Sequence, residues 1–244
     1  MKLVRNKNGQ FIVIAVLMIS LMIISLSATM FSMGTYYKQE QWDEYLTLVQ
    51  HVKSNTQKAI DISLAAYSTS VNLSDTSILK ANLNSWQSDL RKAYPGYGII
   101  LSHDLANGIH DVFGTELNFN QGLAYQWNEV SSFSAVNTTI SLDMISVGLE
   151  GYHFMATSFL NLTILDVDPV SNEINVTVFK GDEMPIADLE DDSFQVTGLE
   201  ISNFTSFYDP QHIFVYRLGC ENLESTSATV SVTDQRGIKV IAAN

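Results

Sequence analysis

The longest pattern along the chain is an uncharged, apolar run. Residues 10–37 read QFIVIAVLMISLMIISLSATMFSMGTYY and contain no charged side chain. About 20 apolar residues in a helix cross a hydrocarbon core of about 30 Å, because each residue adds about 1.5 Å. We therefore predict a transmembrane helix over residues 10–37, in contact with the lipid bilayer and preceded by a basic leader over residues 1–9.

The apolar pattern continues beyond this run with a helical period. Between residues 42 and 67 apolar side chains recur every three or four positions, and the first proline of the chain is Pro95. This pattern predicts that the helix continues to about residue 68. A second apolar helical face, over residues 76–94, follows a short turn. Because short turns join antiparallel helices, we predict an extracytoplasmic helical hairpin over residues 38–95.

From residue 97 onwards the apolar period changes to two, which predicts strands with one buried face. The closing segment, ATVSVTD-QRG-IKVIA, resembles the last hairpin of many immunoglobulin-like sandwiches. Residues 103–129 are rich in turn formers, and we assign no strand there. We predict an antiparallel, immunoglobulin-like β-sandwich head over residues 96–244, so that the chain is α+β. The predicted strands are 97–102, 133–147, 152–167, 174–180, 193–201, 212–218, 227–233 and 238–242.

The charges on the two sides of the apolar run have opposite signs. The leader carries three basic residues, whereas residues 38–44 carry one basic and three acidic residues. Under the positive-inside rule, residues 1–9 lie in the cytoplasm and residues 38–244 lie outside the cell membrane. We therefore expect a single-pass protein with an outer head.

The charge of the predicted head excludes one class of partner. From Ala93 to the end there are four basic and twenty acidic residues, net −16, although the whole chain is −13. Such a surface repels nucleic acid, which we do not expect as a partner. The single cysteine, Cys220, excludes an intrachain disulfide and has no His or Asp beside it, so we interpret it as a small buried hydrophobe.

Five Asn-x-Ser/Thr sequons lie in the predicted outer part, and none has proline in the middle. N-glycosylation requires this location and an outward-facing side chain. The five candidate sites are Asn72, Asn137, Asn161, Asn175 and Asn203.

The N-terminus admits three interpretations. A secretory signal has a small-x-small cleavage site, and Ser25-Leu26-Ser27 supplies one before Ala28. The uncharged run, however, continues for ten residues beyond that site. An uncleaved signal anchor fits the length of the run.

The third interpretation is a resemblance. The tetrapeptide Lys7-Asn8-Gly9-Gln10, followed by FIVIAVLMISLMIISLS, resembles the class III signal peptide of archaeal type IV pilin-like proteins. The resemblance covers about the first 30 residues and implies that a prepilin-type peptidase cuts between Gly9 and Gln10. It further implies copies of this chain or other pilin-like subunits as partners. Ile14 stands where many pilins carry Glu.

A leader cut at this place has a physical consequence. Cleavage removes three charges that would be costly to draw into an apolar helix bundle, while the whole apolar helix stays on the mature chain. Cleavage would therefore act as a switch between a helix in lipid and a helix packed in a filament core.

The polar clusters of the sequence match no enzyme motif. His103-Asp104 and His110-Asp111 give an H-x6-H spacing that fits no zinc protease. The acidic stretches 166–173 and 182–192 lack the glycine-punctuated loop that binds Ca²⁺. There is no G-x-S-x-G, S-x-x-K or glycine-rich phosphate loop. We expect no catalytic residue, no metal and no cofactor.

These observations favour a membrane-anchored, surface-exposed structural protein that is pilin-like and serves as a filament or adhesion subunit. One alternative is a bitopic membrane protein whose β-sandwich ectodomain binds a partner without assembling. A second alternative is an anchored metal-dependent hydrolase, motivated by the His-Asp pairs and the acidic turns.

Overall fold

A computed structural model describes residues 7–70, 75–112, 114–181 and 184–244. The chain divides into two compact units, Met1–Val52 and Lys53–Asn244. It is α+β, with an apolar N-terminal helix and a mostly antiparallel β domain, as predicted.

The first helix, α1, spans Lys7–Thr69, a continuous run of 63 residues. The predicted continuation of the apolar helix to about residue 68 is therefore confirmed. Two polar side chains inside its apolar part form hydrogen bonds within the helix: the hydroxyl groups of Ser20 and Thr29 donate to the carbonyl oxygens four residues earlier, each at 2.8 Å. No proline interrupts the helix.

The second helix, α2, spans Ser77–Ala93 and buries Leu79, Leu83 and Leu90 on one side. Two hydrogen bonds connect α2 to α1: Asn82 Nδ2 donates to Ser63 Oγ, and Trp86 Nε1 donates to Thr56 Oγ1, both at 3.0 Å. The later residue of α2 contacts the earlier residue of α1, as expected for antiparallel helices. The link 71–74 lies outside the described residues, and the hairpin over residues 38–95 stays a prediction.

The described residues of the β domain form an eight-stranded, a three-stranded and a two-stranded sheet, and the pairings between these strands are antiparallel. The strands are β1 Ile99–Leu105, β2 Gly108–Val112, β3 Thr115–Phe119, β4 Leu123–Gln126, β5 Ser131–Met144, β6 Leu149–Asp168, β7 Glu173–Lys180, β8 Met184–Pro185, β9 Phe194–Val196, β10 Ile201–Tyr208, β11 Phe214–Cys220, β12 Thr229–Thr233 and β13 Lys239–Ala243.

The large sheet has the order β1-β5-β6-β7-β11-β10, with β4 beside β5 and β8 beside β7. The smaller sheets have the orders β13-β12-β9 and β2-β3. The predicted closing hairpin is confirmed by the pairing of β12 with β13, and the predicted strands 152–167 and 174–180 pair with each other as β6 and β7. The immunoglobulin-like arrangement is not confirmed, because the large sheet is built mainly from the consecutive pairings of β5, β6 and β7.

One face of the large sheet carries the three-stranded sheet and the C-terminal part of α1. Strand β13 lies against β5 and β6, where Ser134 Oγ donates to the Lys239 carbonyl at 2.9 Å. From α1, Gln57 Nε2 donates to the Thr157 carbonyl at 2.8 Å, and Ser68 Oγ accepts the Lys239 amide at 2.9 Å. The C-terminal part of α1 thus packs on the β domain that follows it in the chain.

The other face is covered in part by the β2–β3 hairpin. Its apolar side chains Leu117 and Phe119 form a buried cluster with Phe133 and Phe159, whose rings are stacked with centroids 6.1 Å apart. The loop before β4 passes close to α2 at Gly122, where a Cβ would lie 2.8 Å from a Leu79 methyl group. Glycine is needed there for space and for a φ of +79°.

Tyr67, near the end of α1, gives the fold a titratable group with a displaced pKa. The side chain is 2% exposed, and its ring meets Tyr125 edge to face with centroids 6.0 Å apart. Burial, followed by the charge of Tyr125, raises the pKa of Tyr67 from 10.0 to about 12.

This shift predicts a loss of stability at alkaline pH. Below pH 10.0 both states hold the Tyr67 proton, whereas between pH 10.0 and about 12 the unfolded state loses it and the folded state keeps it. The free energy of unfolding should therefore fall across this window, and Tyr67→Phe should make the fall shallower. Denaturant titrations of the solubilised chain on both sides of pH 10.0 measure it. Tyr208→Phe, which removes the same group from a side chain that is 62% exposed, is the matched control, and equal slopes for the two variants would contradict the assignment.

Candidate functional site

The most distinctive surface of the described chain is the part of α1 from Val16 to Met33. Its mean hydropathy is 2.1, it meets the length and composition of a membrane span, and none of it is buried within the protein. Its large apolar side chains are between 57% and 77% exposed. A continuous apolar surface of this size requires an apolar partner. We refer to Val16–Met33 as the apolar segment.

The candidate cleavage site lies at the start of the described helix. Helix α1 begins at Lys7, so Gly9 and Gln10 fall within its first turn, whereas residues 1–6 lie outside the described residues. The amide groups of a first turn have no partner inside the helix, and this turn therefore opens at low cost. Such an opening would supply the extended backbone that a peptidase needs. Cleavage between Gly9 and Gln10 stays a prediction.

The two His-Asp pairs lie on different strands. His103 is on β1, opposite Ile140, and burial together with nearby Lys80 holds its pKa below the ordinary value. His110 is on β2, where Nε2 lies 3.0 Å from the Asn107 carbonyl. Among the residues that the structure describes, no three His, Cys, Asp or Glu side chains form a group that could hold a metal.

Two acidic residues of the turns, Asp168 and Asp188, accept hydrogen bonds. The Asp168 carboxylate accepts the Val170 amide and the Ser171 hydroxyl, both at 2.8 Å, and these bonds hold its pKa below the usual range. Asp188 accepts Gln235 Nε2 at 3.0 Å. Asp182 and Glu183 lie outside the described residues. These contacts fit solvent-facing turns whose carboxylates accept hydrogen bonds from the protein itself.

Cys220 is a buried side chain, 2% exposed, at the end of β11. Burial raises the pKa of its thiol, which keeps it protonated at neutral pH. The interpretation of this residue as a small buried hydrophobe is confirmed.

The described sequons differ in exposure. Asn137 is buried at 9% exposure, and Asn161 and Asn175 are half-buried. Asn203 is exposed on β10. Asn72 lies outside the described residues. Glycosylation stays a prediction at each position, and among the described four only Asn203 is exposed rather than buried or half-buried.

Sequence reasoning missed a polar network around Arg236, which lies in the β12–β13 turn. Its guanidinium donates to the Asp234 carboxylate at 2.6 Å, to Ser158 Oγ at 3.0 Å and to the Phe159 carbonyl at 3.1 Å. It also lies 3.4 Å from Asp61 Oδ1 of α1. The network ties the helix, β6 and the last hairpin together. The sequence feature that could have indicated this network is an arginine in a predicted turn, because the head contains very few basic residues.

An open cleft of about 530 Å³ lies beside β6, β7 and the turn before β11. Its described lining includes Phe159, Asn161, Phe179 and His212 and carries no Asp, Glu, Lys or Arg side chain. The neutral groups of the described lining are suited to a neutral ligand.

Comparison of the chain with family models, with curated proteins and with solved structures found no significant match.

Proposed function

We propose that this chain is a membrane-anchored, surface-exposed structural protein of the pilin-like kind, which serves as a filament or adhesion subunit. The observation that carries the proposal is the apolar segment Val16–Met33, which belongs to a 63-residue helix and is not buried within the described protein, so that its exposed apolar surface needs an apolar partner to cover it. Lipid, or the equivalent helices of other copies, would supply that partner.

The way α1 continues supports a structural role. Its residues beyond Lys53 belong to the compact unit that holds the β domain, where Asp61 accepts the Ser158 hydroxyl at 2.6 Å. One helix therefore supplies both the apolar segment and a packed element of the head. This arrangement suits a subunit that is held by its helix and exposes its sheet.

The finer parts of the proposal are architecture and orientation. We include a helical hairpin over residues 38–95. We also include a two-layered, sandwich-like head, which is supported by the position of β13 against β5 and β6. The charges around the apolar run favour a cytoplasmic location for the leader, residues 1–9, and an extracytoplasmic location for residues 38–244.

The intact mass of the protein from its native membrane, read after glycan removal, tests the proposal. We expect a chain that begins at Gln10. Gly9→Val should retain the leader, because a β-branched side chain hinders the close approach of a peptidase to an extended backbone, whereas Asn8→Ala should be processed. A wild-type chain that begins at Met1 or at Ala28 would contradict processing at Gly9. Surface filaments that contain the chain should then be visible by electron microscopy and absent for Gly9→Val.

A second candidate function rests on the cleft beside β6, whose described lining carries no Asp, Glu, Lys or Arg side chain. In this alternative the protein is bitopic and its head binds a neutral partner without assembling. An intact leader together with a monodisperse, solubilised protein would favour it over the filament subunit.

A further inference from the structure

The large sheet ends in an edge strand with little protection. Strand β10, ISNFTSFY, pairs with β11 on one side and with no described strand on the other. It contains no charged residue and no proline, the usual devices that prevent an edge from pairing with another chain. A register irregularity at Ser202 is the one such device present within the described residues of the strand.

This edge strand also contains the most accessible described sequon. Asn203 and Thr205 are both exposed and, because they are two residues apart, they share one face of the strand. Phe204 between them points to the opposite face, where its ring stacks on Tyr216 with centroids 5.6 Å apart. Packing of the middle residue therefore holds the asparagine and the threonine towards solvent.

The surroundings of Asn203 leave room for a substituent. The residue opposite on β11 is Gly219, where a Cβ would stand 3.1 Å from the Asn203 Cβ. An open, mostly polar cleft of about 420 Å³ adjoins both residues, with Asn172 and Glu221 in its lining. Polar groups around an open space suit the hydroxyl groups of a saccharide.

The other described sequons lack this combination. Asn161 Nδ2 donates to Ser131 Oγ at 3.1 Å, and its Oδ1 accepts the hydroxyl of Thr163, its own sequon threonine, at 2.9 Å. Thr177, the threonine of the Asn175 sequon, is 3% exposed. Asn137 is itself buried.

We infer that Asn203 carries an N-linked glycan and that this glycan closes the free edge of β10 against pairing with another head. In the attachment step, Asn203 Nδ2 forms a bond to the anomeric carbon of a lipid-phosphate-linked saccharide. The bond from that carbon to the phosphate oxygen breaks, its electron pair leaves with the lipid phosphate, and one amide proton is released. The inference rests on the proposed extracytoplasmic location, because the donor saccharide acts on outer segments.

Peptide mapping of the full chain from its native membrane tests the modification. We expect a glycan on the peptide that contains Asn203. N203Q and T205A should each lower the intact mass by that one glycan, whereas T205S, which preserves the sequon, and N161Q should leave the glycan at Asn203 in place. A bare Asn203 in the wild-type protein would overturn the inference.

The same digest separates this inference from the proposed function, because it also reports the N-terminus. A chain that begins at Gln10 with a bare Asn203 overturns the glycan and leaves the pilin-like proposal standing. A chain with an intact leader and a glycan on Asn203 contradicts processing and supports the glycan.

The closing role has its own measurement, the mass of the detergent-solubilised full chain by light scattering. Relative to wild type, N203Q should shift towards larger species, because it frees an uncharged edge. The double variant N203Q/T205K should return to the wild-type association state, with a mass per chain lower by the glycan, since a lysine on the edge opposes pairing without restoring the glycan. Association through the apolar segment would be equal in all three proteins. Equal masses for wild type and N203Q would overturn the closing role.

Discussion

Arg236→Met is expected to lower the free energy of unfolding of the head by about 3 kcal/mol, the lower end of what the loss of one member of a buried ion pair costs. The Arg236 side chain is 15% exposed, and that of its partner Asp234 is only 3% exposed. Without the guanidinium, the Asp234 carboxylate keeps the backbone amides of the turn as donors but loses its counter-charge. Asp61 loses its cationic contact in the same step.

Urea unfolding followed by tryptophan fluorescence measures this effect. Trp86 and Trp127 belong to the Lys53–Asn244 unit, so a Trp42→Phe background confines the signal to that unit. Arg217→Met is the matched control: its side chain is 38% exposed, and its contact with Glu173 at 3.3 Å should contribute less than about 1 kcal/mol. Equal losses for Arg236→Met and Arg217→Met would contradict a special role for the network.

Ile24→Arg is expected to reduce membrane integration of the full chain strongly. Ile24 lies near the middle of the apolar segment, and its side chain is 64% exposed. An arginine at the centre of a membrane helix costs about 2.5–3.5 kcal/mol on insertion scales, which corresponds to roughly a hundredfold change in the insertion equilibrium. The fraction of protein that resists alkaline carbonate extraction measures this change.

Met33→Arg provides the control for position. Met33 is the last residue of the apolar segment, and an arginine there reaches the headgroup region with its long side chain. We expect integration close to wild type for Met33→Arg. Equal extraction of both arginine variants would indicate that the apolar segment does not lie in the hydrocarbon core.

The helices could be predicted closely because their signals are local. The uncharged run and the stripe that follows it predicted a helix to about residue 68, and α1 ends at Thr69. The second helix was predicted over residues 76–94 and spans Ser77–Ala93. Helical periodicity over many residues leaves few alternatives.

Two of the strands that sequence reasoning missed, β2 and β10, lack a clean alternation. Strand β2 buries only Val112 at its end, and β10 has apolar side chains at Phe204, Phe207 and Tyr208, which do not repeat every second residue. The segment 193–201 was predicted as one strand, but β9 ends at Val196, a turn follows, and Ile201 already begins β10. Short strands and edge strands with few buried side chains leave too weak a pattern to be recognised.

Sheet order and the polar network could not be predicted for a different reason. The pairing of β11 with both β7 and β10 is decided by contacts between distant segments, which periodicity does not encode. Arg236 and Asp61 are separated by 175 residues. Among the described sequons, that of Asn203 became distinguishable from the others only once the burial of Asn137 and Thr177 was known.

The contacts of α1 with the last hairpin also set an order for biosynthesis. Ser68 meets the Lys239 amide 171 residues later, so at about 5–20 residues per second this contact forms roughly 10–30 s after Ser68 is made. Local pairings such as β5–β6 close far earlier, because their loop is short. The last hairpin therefore adds the final contacts between the helix and the β domain, after Gln57 and Asp61 have been able to meet β6.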